Sequence, residues 1–102
     1  MAAGDFQSGA HETAGKAAVV ELPDGSRKLT ITDFETDPGP DLRIYLATDE
    51  GAGDFEDLGA LKGNKGDQQY DVPKGVDLEK HGTVVIWCRA FSVSFGHSAL
   101  ES

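Results

Sequence analysis

The segment Thr83–Arg89 (TVVIWCR) is the most apolar stretch of the chain, and it decides the fold class. Successive residues of a β-strand point to opposite faces, and here the residues of both faces are hydrophobic. A short apolar run of this kind is typical of a strand buried at the centre of a sandwich or barrel. In such a strand Cys88 shares one face with Val84 and Ile86, while Trp87 lies on the other.

Strand candidates lie throughout the rest of the chain, separated by turn signals rich in glycine and proline. They are Lys16–Leu22, Arg27–Phe34, Asp41–Ala47, Leu58–Leu61, Gln68–Val72 and Phe91–Phe95. Thr48–Asp57 is typical of an acidic, Gly-rich loop, and Val76–His81 has the length of a single helical turn. The sequence therefore predicts an all-β fold, an antiparallel β-sandwich or barrel of about seven to nine short strands with little helix.

The length of 102 residues suits one domain. Residues 1–15 are small and polar and predict an irregular N-terminal arm, with Phe6 as the one large apolar residue. Residues 16–102 then form a single β domain that ends in a short tail, His97–Ser102.

The charge balance excludes some partners. Nine basic residues face 18 acidic ones, for a net charge of −9, and binding to nucleic acid requires clustered Lys and Arg. We therefore expect no nucleic acid partner. No apolar run is long enough for a membrane span, and the single cysteine rules out an internal disulfide.

Several short motifs occur along the chain in a recognisable order. They are His11 with Gly15, Leu29–Phe34 (LTITDF), Gly39–Leu42 (GPDL) followed by Tyr45 and Leu46, Leu58–Gly63 (LGALKG), Gly66 with Gln69, Tyr70 and Pro73, Val84–Cys88 (VVIWC), Phe91–Val93 (FSV), and Phe95 and Gly96 with Ala99. In this order the motifs, which extend from about His11 to Leu100, resemble the DM13 domain family.

The resemblance implies an extracytoplasmic, all-β domain that is secreted or anchored at the cell surface. Members are proposed to take part in electron transfer through a cysteine and are found beside DOMON and cytochrome-type redox domains. On this match Cys88 is the redox candidate, and such a domain is the implied partner. Residues 1–15 lack the pattern of a signal peptide, so the location rests on the resemblance.

The thiol of Cys88 has two interpretations, and both stay open. Free cysteine is among the most buried residue types, which favours a core position. A redox role requires a reactive thiolate, which then forms a sulfenic acid, a mixed disulfide or a ligand to haem or copper. The redox interpretation expects the sulfur to be reachable by solvent, or to lie close to His11 or another ligand.

Four further residues are accessory candidates. His11 belongs to the matched pattern, but its spacing from Cys88 carries no metal signature. Trp87 is favoured as a core residue over an electron relay. Asp33 and Asp41 lie at strand ends, where a carboxylate commonly accepts backbone N–H bonds of a turn.

The acidic loop offers weak candidates for a calcium site, namely Asp49, Asp54 and Asp57. As an EF-hand starting at Asp49 it fails, because Asp54 stands where glycine is required and Ala60 where a bidentate glutamate is required. A solvated acidic face is the favoured interpretation. Haem, copper and calcium all stay open as cofactors.

Catalytic motifs are missing from the sequence: it has no nucleophile elbow, phosphate loop or dinucleotide fingerprint. A non-catalytic domain is therefore favoured over an enzyme. The leading hypothesis is an extracytoplasmic redox or electron-transfer accessory that uses Cys88. The alternatives are an adhesion or ligand-binding module with an acidic, calcium-binding loop face, and a purely structural domain.

Overall fold

A computed structural model describes residues 2–101 as an all-β sandwich, which confirms the predicted fold class. Its strands are β1 (Ala2–Asp5), β2 (Gln7–Ser8), β3 (Thr13–Glu21), β4 (Arg27–Thr36), β5 (Leu42–Ala47), β6 (Phe55–Ala60), β7 (Lys65–Val72), β8 (Thr83–Cys88) and β9 (Val93–Ala99). None of residues 2–101 is helical, so this part of the chain contains no helix suited to crossing a membrane. Asp77–His81 closes one turn, in which the N–H of His81 donates to the carbonyl of Asp77 at 2.7 Å, but the turn is not continued.

The strands form two antiparallel sheets. One has the order β1-β3-β4-β7 and the other the order β2-β9-β8-β5-β6. Strand β8, predicted to be central, is the middle strand of the five-stranded sheet, where it pairs with β5 on one side and β9 on the other. Its backbone groups are therefore paired on both sides, and its inner face is fully buried, as its apolar sequence requires.

The core lies between the two sheets. Strand β4 places Leu29 and Ile31 there because its residues alternate, and β5 adds Ile44 and Leu46 in the same way. These four side chains are completely buried. The polar residues at the intervening positions of β4 point outward, which leaves one face of the four-stranded sheet in water.

The N-terminal segment differs from the irregular arm predicted for residues 1–15. Ala2–Asp5 pairs with β3 in the four-stranded sheet, and Gln7–Ser8 pairs with β9 in the five-stranded sheet. Between them Phe6 enters the core and meets Phe34 edge to face at 5.3 Å between ring centroids. Small polar residues have little intrinsic strand preference, so this pairing is imposed by the burial of Phe6 and by the neighbouring strands. Met1 lies outside the described residues.

The C-terminal segment also differs from its prediction as a tail. Strand β9 continues to Ala99, and Glu101 forms a β-bridge with Ala3; Ser102 lies outside the described residues. At the other end of this hairpin, Phe91 lies in the turn before β9 and is 65% exposed. The alternation of Phe91, Val93 and Phe95 predicts one continuous strand, whereas the strand begins only at Val93.

Candidate functional site

Cys88 is the last residue of β8, and its thiol points into the core between the sheets. It lies on the same face as Val84 and Ile86, as predicted, and this inner face has no solvent-exposed surface at Cys88. Its neighbours in register are Leu42 and Val93, which are both apolar. The thiol therefore packs as a small apolar group. A redox role for Cys88 stays a prediction that no contact of the folded thiol supports.

The outer face of the five-stranded sheet carries a second hydrophobic cluster, separate from the core. It consists of Tyr45, Ala47, Ala52 and Val85, with Trp87 packed against them. The sequence favours a core position for Trp87, but the structure places it on this outer face, where it is only partly buried. An antiparallel sheet that covers a core usually has a polar outer face, so this cluster requires a separate explanation.

Three aromatic side chains cross this outer face diagonally from β6 to β8, and we call them the aromatic row. The rings of Phe55 and Tyr45 are stacked, with centroids 4.0 Å apart and planes inclined by 10°. Trp87 continues the row at 6.1 Å from Tyr45, inclined by 23°. Tyr45 is buried at the centre, whereas Phe55 is 42% exposed. The row thus offers accessible aromatic surface at Phe55 and, in part, at Trp87, with both rings held on paired strands.

Asp41 joins the two arginines that flank the Trp87 end of the row. Its carboxylate accepts from Arg43 Nε at 3.1 Å and from Arg89 Nε at 2.9 Å. Desolvation acts to raise the pKa of Asp41, but the hydrogen bonds from both arginines outweigh it and hold the pKa below its ordinary value of 3.8. The sequence predicts that Asp41 accepts a backbone N–H. The main-chain carbonyl of Asp41, rather than its carboxylate, takes the N–H of Arg89.

Asp57 faces Tyr45 from the neighbouring strand β6. One carboxylate oxygen accepts the N–H of Gly59 at 2.8 Å, and the other lies 3.9 Å from Arg43 Nη1. Burial and then the negative charge of Asp57 raise the pKa of the Tyr45 phenol. The phenol therefore stays protonated, as an apolar ring with a polar tip.

Asp33 lies at the bulge in β4, in the other sheet from the aromatic row. Its φ of 52° is a left-handed conformation uncommon for a residue with a side chain. Its N–H donates to Oδ1 of Asp67 at 2.9 Å. Asp33 therefore has a structural role at this bulge, but as the N–H donor. The accepting carboxylate belongs to Asp67.

The three calcium candidates are not brought together by the fold. Asp49 caps its own loop by accepting the N–H of Gly51 at 3.0 Å, Asp54 turns toward Lys80 and His81, and Asp57 has the contacts given above. Between residues 2 and 101 no three His, Cys, Asp or Glu side chains form a group suited to holding a metal ion.

The histidines fix loops instead of forming a site with Cys88. His11 stacks on Phe95 at 4.0 Å, and its Nδ1 lies 2.8 Å from Asp37 Oδ2. His97 Nε2 lies 3.0 Å from a carboxylate oxygen of Glu50. His81 Nε2 is 3.5 Å from Asp54 Oδ1, where its orientation does not form a hydrogen bond.

Three residues of this face, Arg43, Tyr45 and Phe55, are missed by the sequence analysis. The alternation in Asp41–Ala47 predicts that Tyr45 and Arg43 point to the outer face of a strand, and this pattern could have identified them. Phe55 lies inside the segment predicted as a loop, where no periodicity marks it.

The structure and the sequence agree on the class of this protein. It is a small antiparallel β-sandwich module with an aromatic outer face, a buried thiol and no grouped metal ligands among the described residues. The model of the DM13 family, described as electron transfer DM13, matches residues 5–100, nearly the whole chain. The chain therefore belongs to the DM13 family. Neither a curated protein nor a solved structure matches it.

Proposed function

We propose that this domain acts outside the cytoplasm as a non-catalytic accessory of an electron-transfer system. Its task in this proposal is to hold a redox partner, of the DOMON or cytochrome type, against the outer face of the five-stranded sheet. The observation that carries the proposal is the aromatic row of Phe55, Tyr45 and Trp87. The family description, electron transfer, supplies the kind of system.

The composition of the outer face supports binding rather than chemistry. Trp, Tyr and Arg are the residues most enriched at the energetic centres of protein interfaces. This face presents Trp87, Arg43 and Arg89 within two adjacent strands and the turn that follows, with Tyr45 buried beside Trp87. In this role the cofactor of the partner gains or loses the electron, and the chain itself is neither oxidised nor reduced.

A second route for the same function uses the thiol of Cys88. The exposed turn Arg89–Ser92 follows this residue directly, and in this route opening of the turn brings the sulfur to solvent. The Cys88 thiolate would then attack a disulfide of the partner, form a mixed disulfide and release the second partner sulfur as a thiolate. This route needs local unfolding, whereas the aromatic row is accessible in the folded state.

Electron exchange with a purified c-type haem domain separates the two routes. The rate at which ascorbate reduces the haem is measured with and without saturating amounts of this protein. We expect the protein to change that rate, Cys88→Ala to keep the change, and Phe55→Ala to lose it. Loss in Cys88→Ala alone would favour the thiol route. The absence of any effect from the unmodified protein would overturn the proposal.

The location is tested separately in the native host. An antiserum against the domain is used on intact cells, with and without added protease, and on fractionated cells. We expect the protein to be degraded by protease added to intact cells or released with the extracytoplasmic fraction. Recovery only with the cytoplasmic fraction would overturn the location.

A further inference from the structure

We infer, as an extension that rests on the proposed function, that the docked partner is a basic redox protein. Its contact surface is an apolar patch around the cofactor edge, ringed by lysine and arginine. The aromatic row contacts the apolar patch of the partner. A negatively charged border beside Phe55 contacts the surrounding lysine and arginine residues. The inference follows from how apolar and charged groups are distributed over this single sheet face.

The centre of the face is apolar and rigid. Phe55, Tyr45 and Trp87 are held by strands β6, β5 and β8, and the buried Ala52 folds in beside them. Phe55 is one of the few large hydrophobic side chains left exposed in the described chain, at 42%. In this inference the exposed ring of Phe55 and the partly exposed Trp87 beyond Tyr45 form the apolar part of the docking surface.

The border beside Phe55 is strongly negative, and we call it the acidic border. The segment Asp49–Asp57 contains the exposed carboxylates Asp49, Glu50, Asp54, Glu56 and Asp57, and no Lys or Arg. Lys80 lies 3.4 Å from Asp54 and Arg43 Nη1 lies 3.9 Å from Asp57, but Asp49 has no cationic partner within residues 2–101. Glu56 is opposite the core residue Leu46 in register, so its side chain points away from the aromatic row. A net negative charge therefore remains next to the aromatic row.

Part of the acidic border is held by contacts within the domain. Asp54 is tied to Lys80, Glu50 is tied to His97 on β9, and Ala52 between them is buried. Charged groups that are already ordered lose little conformational entropy on binding. The border thus belongs to the surface that a partner meets, together with the aromatic row.

The cations of this face offset the border only in part. Arg43 and Arg89 lie at the opposite, Trp87 end, and both are paired with Asp41; of the two, Arg43 also approaches Asp57 of the border, at 3.9 Å. The chain as a whole carries a net charge of −9. Complementary charge accelerates encounter and selects partners, so this face favours a positively charged surface and disfavours an acidic one.

The closing experiment compares two haem proteins of opposite charge. Isotope-labelled protein is titrated by NMR with a basic c-type cytochrome and, as the matched probe, with an acidic b-type cytochrome. We expect the basic protein to shift resonances of β5, β6 and β8, and the acidic one to shift none. Affinity for the basic protein should fall by about tenfold or more between low and high salt, because screening weakens exposed charge pairs.

Three variants locate the contact. Glu50→Lys in the acidic border, where Glu50 contacts His97 opposite Val85 of the outer cluster, should weaken binding several-fold at low salt and have little effect at high salt. The control Glu35→Lys makes the same charge change on the outer face of the other sheet and should weaken binding much less. Phe55→Ala should weaken binding by about tenfold at every salt concentration, because it removes apolar contact.

The outcomes distinguish this inference from the proposed function. Equal binding of both haem proteins at the aromatic row would overturn the basic partner and leave the docking function standing. Binding of the basic protein that Glu35→Lys and Glu50→Lys weaken equally would show general charge attraction and overturn the inference. If neither haem protein binds, the inference fails, and the haem-reduction assay decides separately on the proposed function.

Discussion

The two faces of β8 are both apolar, yet they belong to different parts of the molecule. The inner face, with Val84, Ile86 and Cys88, completes the core between the sheets and is fully buried. The outer face, with Val85 and Trp87, belongs to a smaller cluster that ends in exposed aromatic surface. Cys88 and Trp87 are neighbours in sequence but point to opposite sides. One face stabilises the fold, and the other is available to a partner.

The largest expected difference between the two faces is in stability. Ile86→Ala on the inner face should lower the free energy of unfolding by about 2–5 kcal/mol, because it leaves a cavity in the core. Phe55→Ala at the exposed end of the outer face should cost about 1 kcal/mol or less, mainly the lost stacking on Tyr45. Urea unfolding followed by circular dichroism measures both. Equal losses would contradict the separation of core and binding face.

A second prediction concerns the buried thiol. A soluble thiol reagent should react with Cys88 only as fast as the domain opens, so the rate should rise steeply with urea. Cys88→Ser should cost about 1–3 kcal/mol, because it buries a hydroxyl without a partner in an apolar site. Cys88→Ala, which buries no polar group, is the control. Rapid labelling of the native protein would show that the inner face is accessible and would support the thiol route.

The smallest effect is expected at Asp41, at the border of the outer face. A carboxyl with a lowered pKa in the folded state adds stability above its unfolded value, and this stability is lost as the pH falls through the folded value. Since the ordinary value is 3.8, the contribution of Asp41 should be complete at pH 6, begin to fall at about pH 4 and be lost only as the pH drops through the lower folded value. Urea midpoints measured from pH 2 to 6 should therefore fall less steeply in Asp41→Asn. Parallel curves would contradict this.

Much of the fold could be predicted because strand alternation and turn residues are local. The central position of β8 follows from its own sequence, and so does the division of its side chains between two faces. Which face meets the core could not be predicted, because both are hydrophobic. Sequence reasoning therefore placed Trp87 in the core, whereas it lies outside.

The parts that could not be predicted depend on contacts between distant residues. Arg89 reaches Asp41 across 48 positions of sequence, and no local pattern indicates that a carboxylate there will bind guanidinium groups. The strands at the N-terminus are formed by small residues whose pairing is imposed by β3 and β9. Phe55 lies in a segment of glycines and acidic residues, and only its position opposite Ala47 turns it toward Tyr45.

The bridge between Ala3 and Glu101 brings the two ends of the described chain side by side. Each residue donates its N–H to the carbonyl of the other at 2.9 Å. A domain with adjacent ends can be inserted into a surface loop of a larger protein without moving the two ends of that loop apart. A circularly permuted chain, joined at this point by a short glycine linker and opened at the exposed turn Arg89–Ser92, should keep the sandwich. Pulling on the two ends would separate this bridge first, so a domain tethered at both ends would begin to open there under tension.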